Sequence, residues 1–105
     1  MYDLVIIGGG PAGVAAGIYA ARKKIKTVLV TDFFGGQSLV SNDVENWIGV
    51  KNASGLEIAK MMEEHLRAQE DIEVMDGTLV SKVEKISGKK EKSFKVSVEN
   101  GKILE

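Results

Sequence analysis

Leu4-Val5-Ile6-Ile7-Gly8-Gly9-Gly10-Pro11-Ala12-Gly13, followed by Val14-Ala15-Ala16-Gly17-Ile18-Tyr19-Ala20-Ala21-Arg22, decides how this chain folds. Tyr2 to Ile7 reads as a strand. Its apolar residues run continuously rather than alternating, the pattern of a central parallel strand covered on both faces. Gly8 ends it. From Pro11 to about Lys23 the pattern becomes helical, with Val14, Ile18 and Ala21 on one face and Ala15 and Tyr19 beside it. Proline suits the first helical position, where its missing N–H is not needed. The many alanines are good helix formers and small enough for close packing on a sheet.

Thr27 to Thr31 (T-V-L-V-T) is a second, β-branched strand. Strand, helix and strand together fill Tyr2 to Asp32, the length of a right-handed βαβ crossover. Within it Gly8, Gly10 and Gly13 fit the G-x-G-x-x-G pattern, with the strand before and the helix after that give the pattern its meaning. Gly8 allows the tight turn, Gly10 lets a pyrophosphate approach the backbone, and Gly13 lets helix and strand touch. The phosphates then meet free N–H groups and the positive dipole end at the helix start, so no basic side chain is required. Asp32 lies 19 residues beyond Gly13. Its carboxylate can accept ribose hydroxyls and would repel a 2′-phosphate, which favours FAD or NAD over NADP.

Phe33 to Ala53 is a long irregular stretch rich in Gly, Ser, Asn and Asp but anchored by Phe33, Phe34, Trp47 and Ile48. Connections of this length are usually functional or disordered, and the apolar anchors favour function. Ser54-Gly55-Leu56-Glu57 is a capping box that opens a second helix. Ile58, Ala59, Met62 and Leu66 form its apolar face; Glu63, Glu64 and Arg67 face water, and His65 lies on the flank. Ile72 to Met75 is a third strand. Thr78 to Ile86, Ser93 to Val98 and Lys102 to Leu104 alternate apolar and polar residues, with turns at Gly88 and Asn100-Gly101, and read as an antiparallel meander.

The expected fold class is therefore α/β: a Rossmann-like dinucleotide-binding domain of three parallel strands with helices, plus a small antiparallel meander. The 105 residues suffice for one domain, with residues 1–77 as the βαβαβ core and 78–105 as the meander. Charge is balanced, with 14 basic against 15 acidic residues, which argues against nucleic acid as a partner. The seven lysines and four glutamates from Ser81 onward read as solvated strand ends and turns. There is no cysteine, hence no disulfide and no thiolate nucleophile, and one histidine makes no metal site by itself. The first 21 residues carry no Lys or Arg, and the glycines break their apolar run, so neither a leader nor a membrane helix is expected. A cytoplasmic protein is the expectation.

Gly35-Gly36-Gln37, followed by Val44-Glu45-Asn46-Trp47, resembles the thioredoxin reductase family of flavoproteins, as does the opening Y-D-L-V-I-I-G-G-G-P-A-G. The resemblance runs from Tyr2 into the meander. It implies an FAD-binding segment of an oxidoreductase that passes hydride from a nicotinamide nucleotide to flavin and then to a disulfide. By motif match, Gly8, Gly10, Pro11, Ala12 and Gly13 would cradle the FAD pyrophosphate and Asp32 the adenosine ribose. Gly35, Gly36, Gln37 and Asn46 would line the flavin side; a looser match would bring the backbone near Leu79 and Val80 to the adenine. Ile48 departs from the family's usual proline after the tryptophan. The family's next strand, NADPH domain, Cys-x-x-Cys and flavin-covering segment are not in this sequence. The expected fold is thus incomplete relative to the family, and no side chain here is an obvious acid, base or nucleophile. An open sheet edge would invite a second copy or a second chain. Two other readings remain: a non-catalytic module that binds a nucleotide or a partner, and the NAD-binding unit of a dehydrogenase.

Overall fold

The computed structural model describes residues 1–87 and 92–105. Strand β1 (Leu4–Gly9) leads into helix α1 (Pro11–Arg22), and strand β2 (Thr27–Phe34) follows. A 3-10 turn (Gly36–Val40), helix α2 (Gly55–Arg67) and strand β3 (Ile72–Met75) come next. Strands β4 (Val80–Ser87), β5 (Lys92–Val98) and β6 (Ile103–Leu104) complete the chain. The first three strands form a parallel sheet in the order β1-β2-β3; the last three form a separate antiparallel sheet in the order β4-β5-β6. The expected turn at Gly88 lies outside the described residues. The turn at Asn100-Gly101 is present, with Gly101 at φ +85°.

Three layers result. On one face of the parallel sheet, Ile6, Leu29 and Phe34 pack against Val14 of α1 and Ile58, Met62 and Leu66 of α2. On the other face, Val28 and Val30 pack against Val96, Val98 and Leu104 of the antiparallel sheet. Leu29, Ile58 and Leu66 are fully buried, each contributing roughly 1.5–3 kcal/mol relative to exposure. The apolar face expected for α2 is the buried one. Its start is capped as expected, with the Glu57 N–H donating to Ser54 Oγ at 3.1 Å. On α1 the buried set is Val14, Gly17, Ala20 and Ala21. Gly17 belongs there because a Cβ on it would stand 2.8 Å from Leu66 Cδ1, so the two helices cross at close range.

Two strand readings change. The strand buried on both faces is β2, not β1: Leu4 is 37 % and Ile7 53 % exposed. Among the described residues β1 pairs only with β2, so its outer edge is bare. In addition, β2 runs three residues past Thr31, because Phe34 pairs with Gly9. Register shifts on the way: Ile7 faces Val30 and Gly9 faces Phe34, so Gly8 alone stands opposite Thr31, Asp32 and Phe33. The result is a bulge beside the glycine turn. The Thr31 hydroxyl braces it by donating to the Phe33 carbonyl at 2.7 Å.

Candidate functional site

The glycine turn, the bulge in β2 and the start of β4 enclose a cleft of about 270 Å³ at the C-terminal ends of the parallel strands. Open α/β sheets bind ligands at this end. Gly8 holds φ +113°, a conformation that L side chains rarely adopt. Gly13 sits so close to β1 that a Cβ would come 2.0 Å from the Gly8 carbonyl oxygen. Gly10 caps α1 in an extended conformation, with Pro11 at the first helical position and no side-chain cap. The N–H groups of Ala12 and Gly13 fall in the first turn, where intrahelical acceptors do not exist.

Gly10 differs from its neighbours. Its φ of −77° suits any residue. A Cβ there would meet only Gly36 Cα, at an ordinary 3.8 Å. Neither backbone conformation nor packing requires glycine at this position. Gly36 stands directly opposite, and the Gly35 N–H donates to the Gly9 carbonyl at 2.9 Å. The G-G-Q turn and the fingerprint are thus one surface.

The wall across from the glycines comes from the β3–β4 connection. The Gly77 and Thr78 N–H groups donate to the Asp32 and Thr31 carbonyls, each at 3.0 Å. This folds Thr78, Leu79 and Val80 over the end of β2 and into the cleft. Arg67, at the end of α2, steadies the same connection. Its guanidinium meets Glu63 and Asp76, both at 2.9 Å, and lies over the Phe34 ring at 5.6 Å.

The structure brings most of the expected site together. Gly8, Gly10, Asp32 and Gly36 line the cleft, and Pro11, Ala12 and Gly13 form the helix start beneath it. Gly35 is buried against Leu39 and Ala59 and supports the turn rather than facing the cleft. Gln37 contributes its backbone to the 3-10 turn. Asn46 is elsewhere: it is exposed and lines a shallow depression within its own loop, with Trp47 and Lys51. The sequence reading did not single out Gly9, Phe33 or Thr78. Gly9 is buried, and a Cβ on it would crowd Thr31 Oγ1 at 2.8 Å. Phe33 and Thr78 line the cleft, and the only signal for them was their position beside Asp32 and beside the glycine before the meander.

Among the described residues no Lys or Arg lines the cleft, and Asp32 is the one charged residue that does. An anion would be held by backbone amides and the helix dipole, and a diol by the Asp32 carboxylate. Among the described residues no cluster of His, Asp or Glu could hold a metal ion, and no helix is long and apolar enough to cross a membrane.

Comparison with known proteins agrees with this geometry. Residues 2–105 match the family model for pyridine nucleotide-disulphide oxidoreductases. The chain belongs to that family. It is 41 % identical over 103 residues to a protein named NADH dehydrogenase from Bacillus subtilis. It is 40 % identical over 104 residues to an alkyl hydroperoxide reductase component from Staphylococcus epidermidis. These matches cover 98 % and 99 % of this chain but only 19 % and 20 % of the relatives. The chain therefore spans about a fifth of the length of the curated relatives it matches. Among solved structures, thioredoxin reductase from Lactococcus lactis superposes with a TM-score of 0.85 at 32 % identity. That match covers 99 % of this family member and 32 % of the reductase. The T. acidophilum thioredoxin reductase gives 0.81 at 29 % identity, covering 94 % of this chain and 31 % of its own.

Proposed function

We propose that this chain is the FAD-binding portion of a thioredoxin-reductase-like flavoprotein oxidoreductase, forming one FAD-binding domain over residues 1–105. Gly10 carries the reading: it is a glycine that the fold itself does not require, set at a helix N-terminus where a pyrophosphate would pass. Gly8, Pro11, Ala12 and Gly13 shape that N-terminus. Asp32 accepts the adenosine ribose hydroxyls, and Gly36 closes the opposite side, with Gly35 and Gln37 in the same turn. Asn46 would reach the flavin end only if its loop were drawn in by the ligand or by further protein. FAD supplies the redox chemistry when bound; the residues of this chain bind and orient it.

Hydride transfer from a nicotinamide nucleotide to flavin and on to a disulfide is the parent reaction we assign. The relatives bear the names of oxidoreductases of several kinds, and this segment carries no cysteine through which an acceptor disulfide could be read. The cysteine-free composition supports a cytoplasmic location.

The test is the visible absorption spectrum of the purified chain after loading with FAD and removing the excess. Flavin retained at about one per chain is the expected result. A folded chain that retains no flavin would defeat the proposal.

A second observation concerns partners. The bare edge of β1 opens into a groove of about 600 Å³ lined by Leu4, Val5, Ile7, Val83 and Phe94 among others. Val83 is 50 % and Phe94 55 % exposed. From Leu4 to Gly9 no charge or proline guards the edge, and such edges recruit another strand. We assign this edge to strand addition by a second copy or a second chain. The substitution Ile7→Lys should lower the concentration-dependent mass seen in sedimentation. An unchanged distribution would remove the edge from consideration.

A further inference from the structure

We infer that Arg67 is a positioning residue for the cleft: it acts through its neighbours, holding the β3–β4 connection, one wall of the site, in place against the end of β2. The inference rests on the FAD reading above and adds to it a residue from a helix that does not line the cleft.

Arg67 is the last residue of α2, a place where the helix dipole favours a cation. Glu63, four residues earlier, pairs with it in the favourable order, acid before base. From the helix end the guanidinium makes two contacts outside its own helix. Its Nη2 donates to Asp76 Oδ2 at 2.9 Å, and its centre lies 5.6 Å from the centroid of the Phe34 ring. These partners belong to opposite sides of the site. Phe34 is buried and pairs with Gly9 of the glycine turn. Asp76 immediately precedes Gly77 and Thr78, whose N–H groups hold the Asp32 and Thr31 carbonyls. One guanidinium therefore ties the strand end behind the glycine turn to the connection that faces it.

The connection has little else to hold it. Asp76, Gly77 and Leu79 are exposed, Thr78 is half-buried, and none belongs to either core cluster. A Cβ on Gly77 would meet nothing within 4 Å. Among the described residues, Asp76 to Thr78 are anchored by the two backbone bonds to β2 and by the ion pair with Arg67. The Thr78 hydroxyl only closes the turn on the Asp76 carbonyl. Exposed backbone bonds with few apolar contacts around them open first. Loss of Arg67 thus loosens this wall without opening the core.

The test uses Arg67→Met, which keeps a long helix-forming side chain and removes the charge. In the free chain, amide exchange at Gly77 and Thr78 should quicken roughly two- to tenfold, the range of an exposed ion pair with its cation–π contact. Exchange at Leu29 and Val30 should not change. FAD affinity should fall by a similar factor. Asp76→Asn should weaken FAD in the same direction, and the double variant should bind no worse than Arg67→Met alone, since the two act as one contact. Unchanged exchange at Gly77 and Thr78, unchanged FAD affinity in Arg67→Met, or losses that add in the double variant would overturn the inference and leave the FAD reading standing. Wild-type chain that binds no FAD would overturn both.

Discussion

Adding one methyl group at each of two glycines three residues apart should separate folding from binding. In Gly13→Ala the new Cβ would stand 2.0 Å from the Gly8 carbonyl oxygen. Real Cβ atoms essentially never approach a heavy atom within 3.0 Å, so α1 must retreat from β1 by at least about 1 Å. Retreat loosens Val14 and Ile6 in the helix-side core. Overpacking of this kind costs roughly 1–3 kcal/mol. At about 4–8 °C per kcal/mol for a domain near this size, the melting temperature should fall by roughly 5–20 °C. In Gly10→Ala the Cβ meets only Gly36 Cα at 3.8 Å, and the backbone is already in a region open to alanine. Alanine is a poorer N-cap than glycine by some tenths of a kcal/mol. Reduced freedom of the unfolded chain offsets this by about 0.4–1 kcal/mol. Stability should stay within about 1 kcal/mol of wild type. Flavin binding should suffer instead, because the methyl occupies the pyrophosphate path. Losing one or two charge-assisted hydrogen bonds there, at about 1.5–3 kcal/mol each, lowers affinity at least tenfold. Calorimetric melting and FAD titration on both variants make the assay. Gly10→Ala that melts like wild type and binds FAD equally well would refute the reasoning, as would Gly13→Ala with an unchanged melting temperature.

Three other expectations follow from the same structure. Asp32→Asn should weaken FAD binding by about tenfold through loss of charged acceptors for the ribose hydroxyls, with little change in melting because Asp32 is exposed; equal affinity would remove Asp32 from the site. Lys24 ends α1 at φ +58°, with the Ile25 N–H reaching back to the Ala20 carbonyl at 3.1 Å, so Lys24→Gly should raise stability by about 0.5–1 kcal/mol in urea melts. Tyr2 donates its hydroxyl to Glu73, and that bond, with burial and the carboxylate's charge, raises its pKa above the ordinary 10.0. A raised folded value means the unfolded chain loses this proton first. The contribution is therefore complete below about pH 10 and disappears as pH climbs through the higher folded value. Tyr2→Phe should flatten that part of the alkaline melting profile, and identical profiles would exclude the linkage.

Much of this architecture is legible from local pattern. The βαβ unit, the α2 face of Ile58, Met62 and Leu66, the Ser54 cap and the Asn100-Gly101 turn each depend on neighbours within a few residues. What escapes the sequence depends on pairing between distant segments. An apolar run such as Leu4–Ile7 says that a strand suits burial, not which neighbours cover it, so the central place goes to β2. The extension of β2 to Phe34 arises from its pairing with Gly9, and that pairing creates the bulge that presents Asp32 and Phe33. Thr78 reaches the cleft through backbone bonds from Gly77 and Thr78 to β2, which leave no side-chain signature; in the sequence, the family resemblance alone places Leu79 and Val80 near it. On α1, Gly17 is buried where Leu66 and Ile72 come close, and Ala20 and Ala21 are buried with it, whereas the half-buried Ile18 and the exposed Tyr19 are the more hydrophobic residues. Asn46 belongs to the site by motif alone; its loop is joined to the rest through the Val44–Ala53 bridge and stands away from the cleft.

Amide chemical-shift mapping of the isotopically labelled chain during titration with FAD bears most directly on the central claim, since it locates the ligand without any substitution. The account requires the largest shifts at Gly8 to Gly13, at Asp32 and Phe33, at Gly36 and at Thr78 to Val80. Shifts concentrated in the groove of Val83 and Phe94, or no shifts at all from a folded chain, would contradict it.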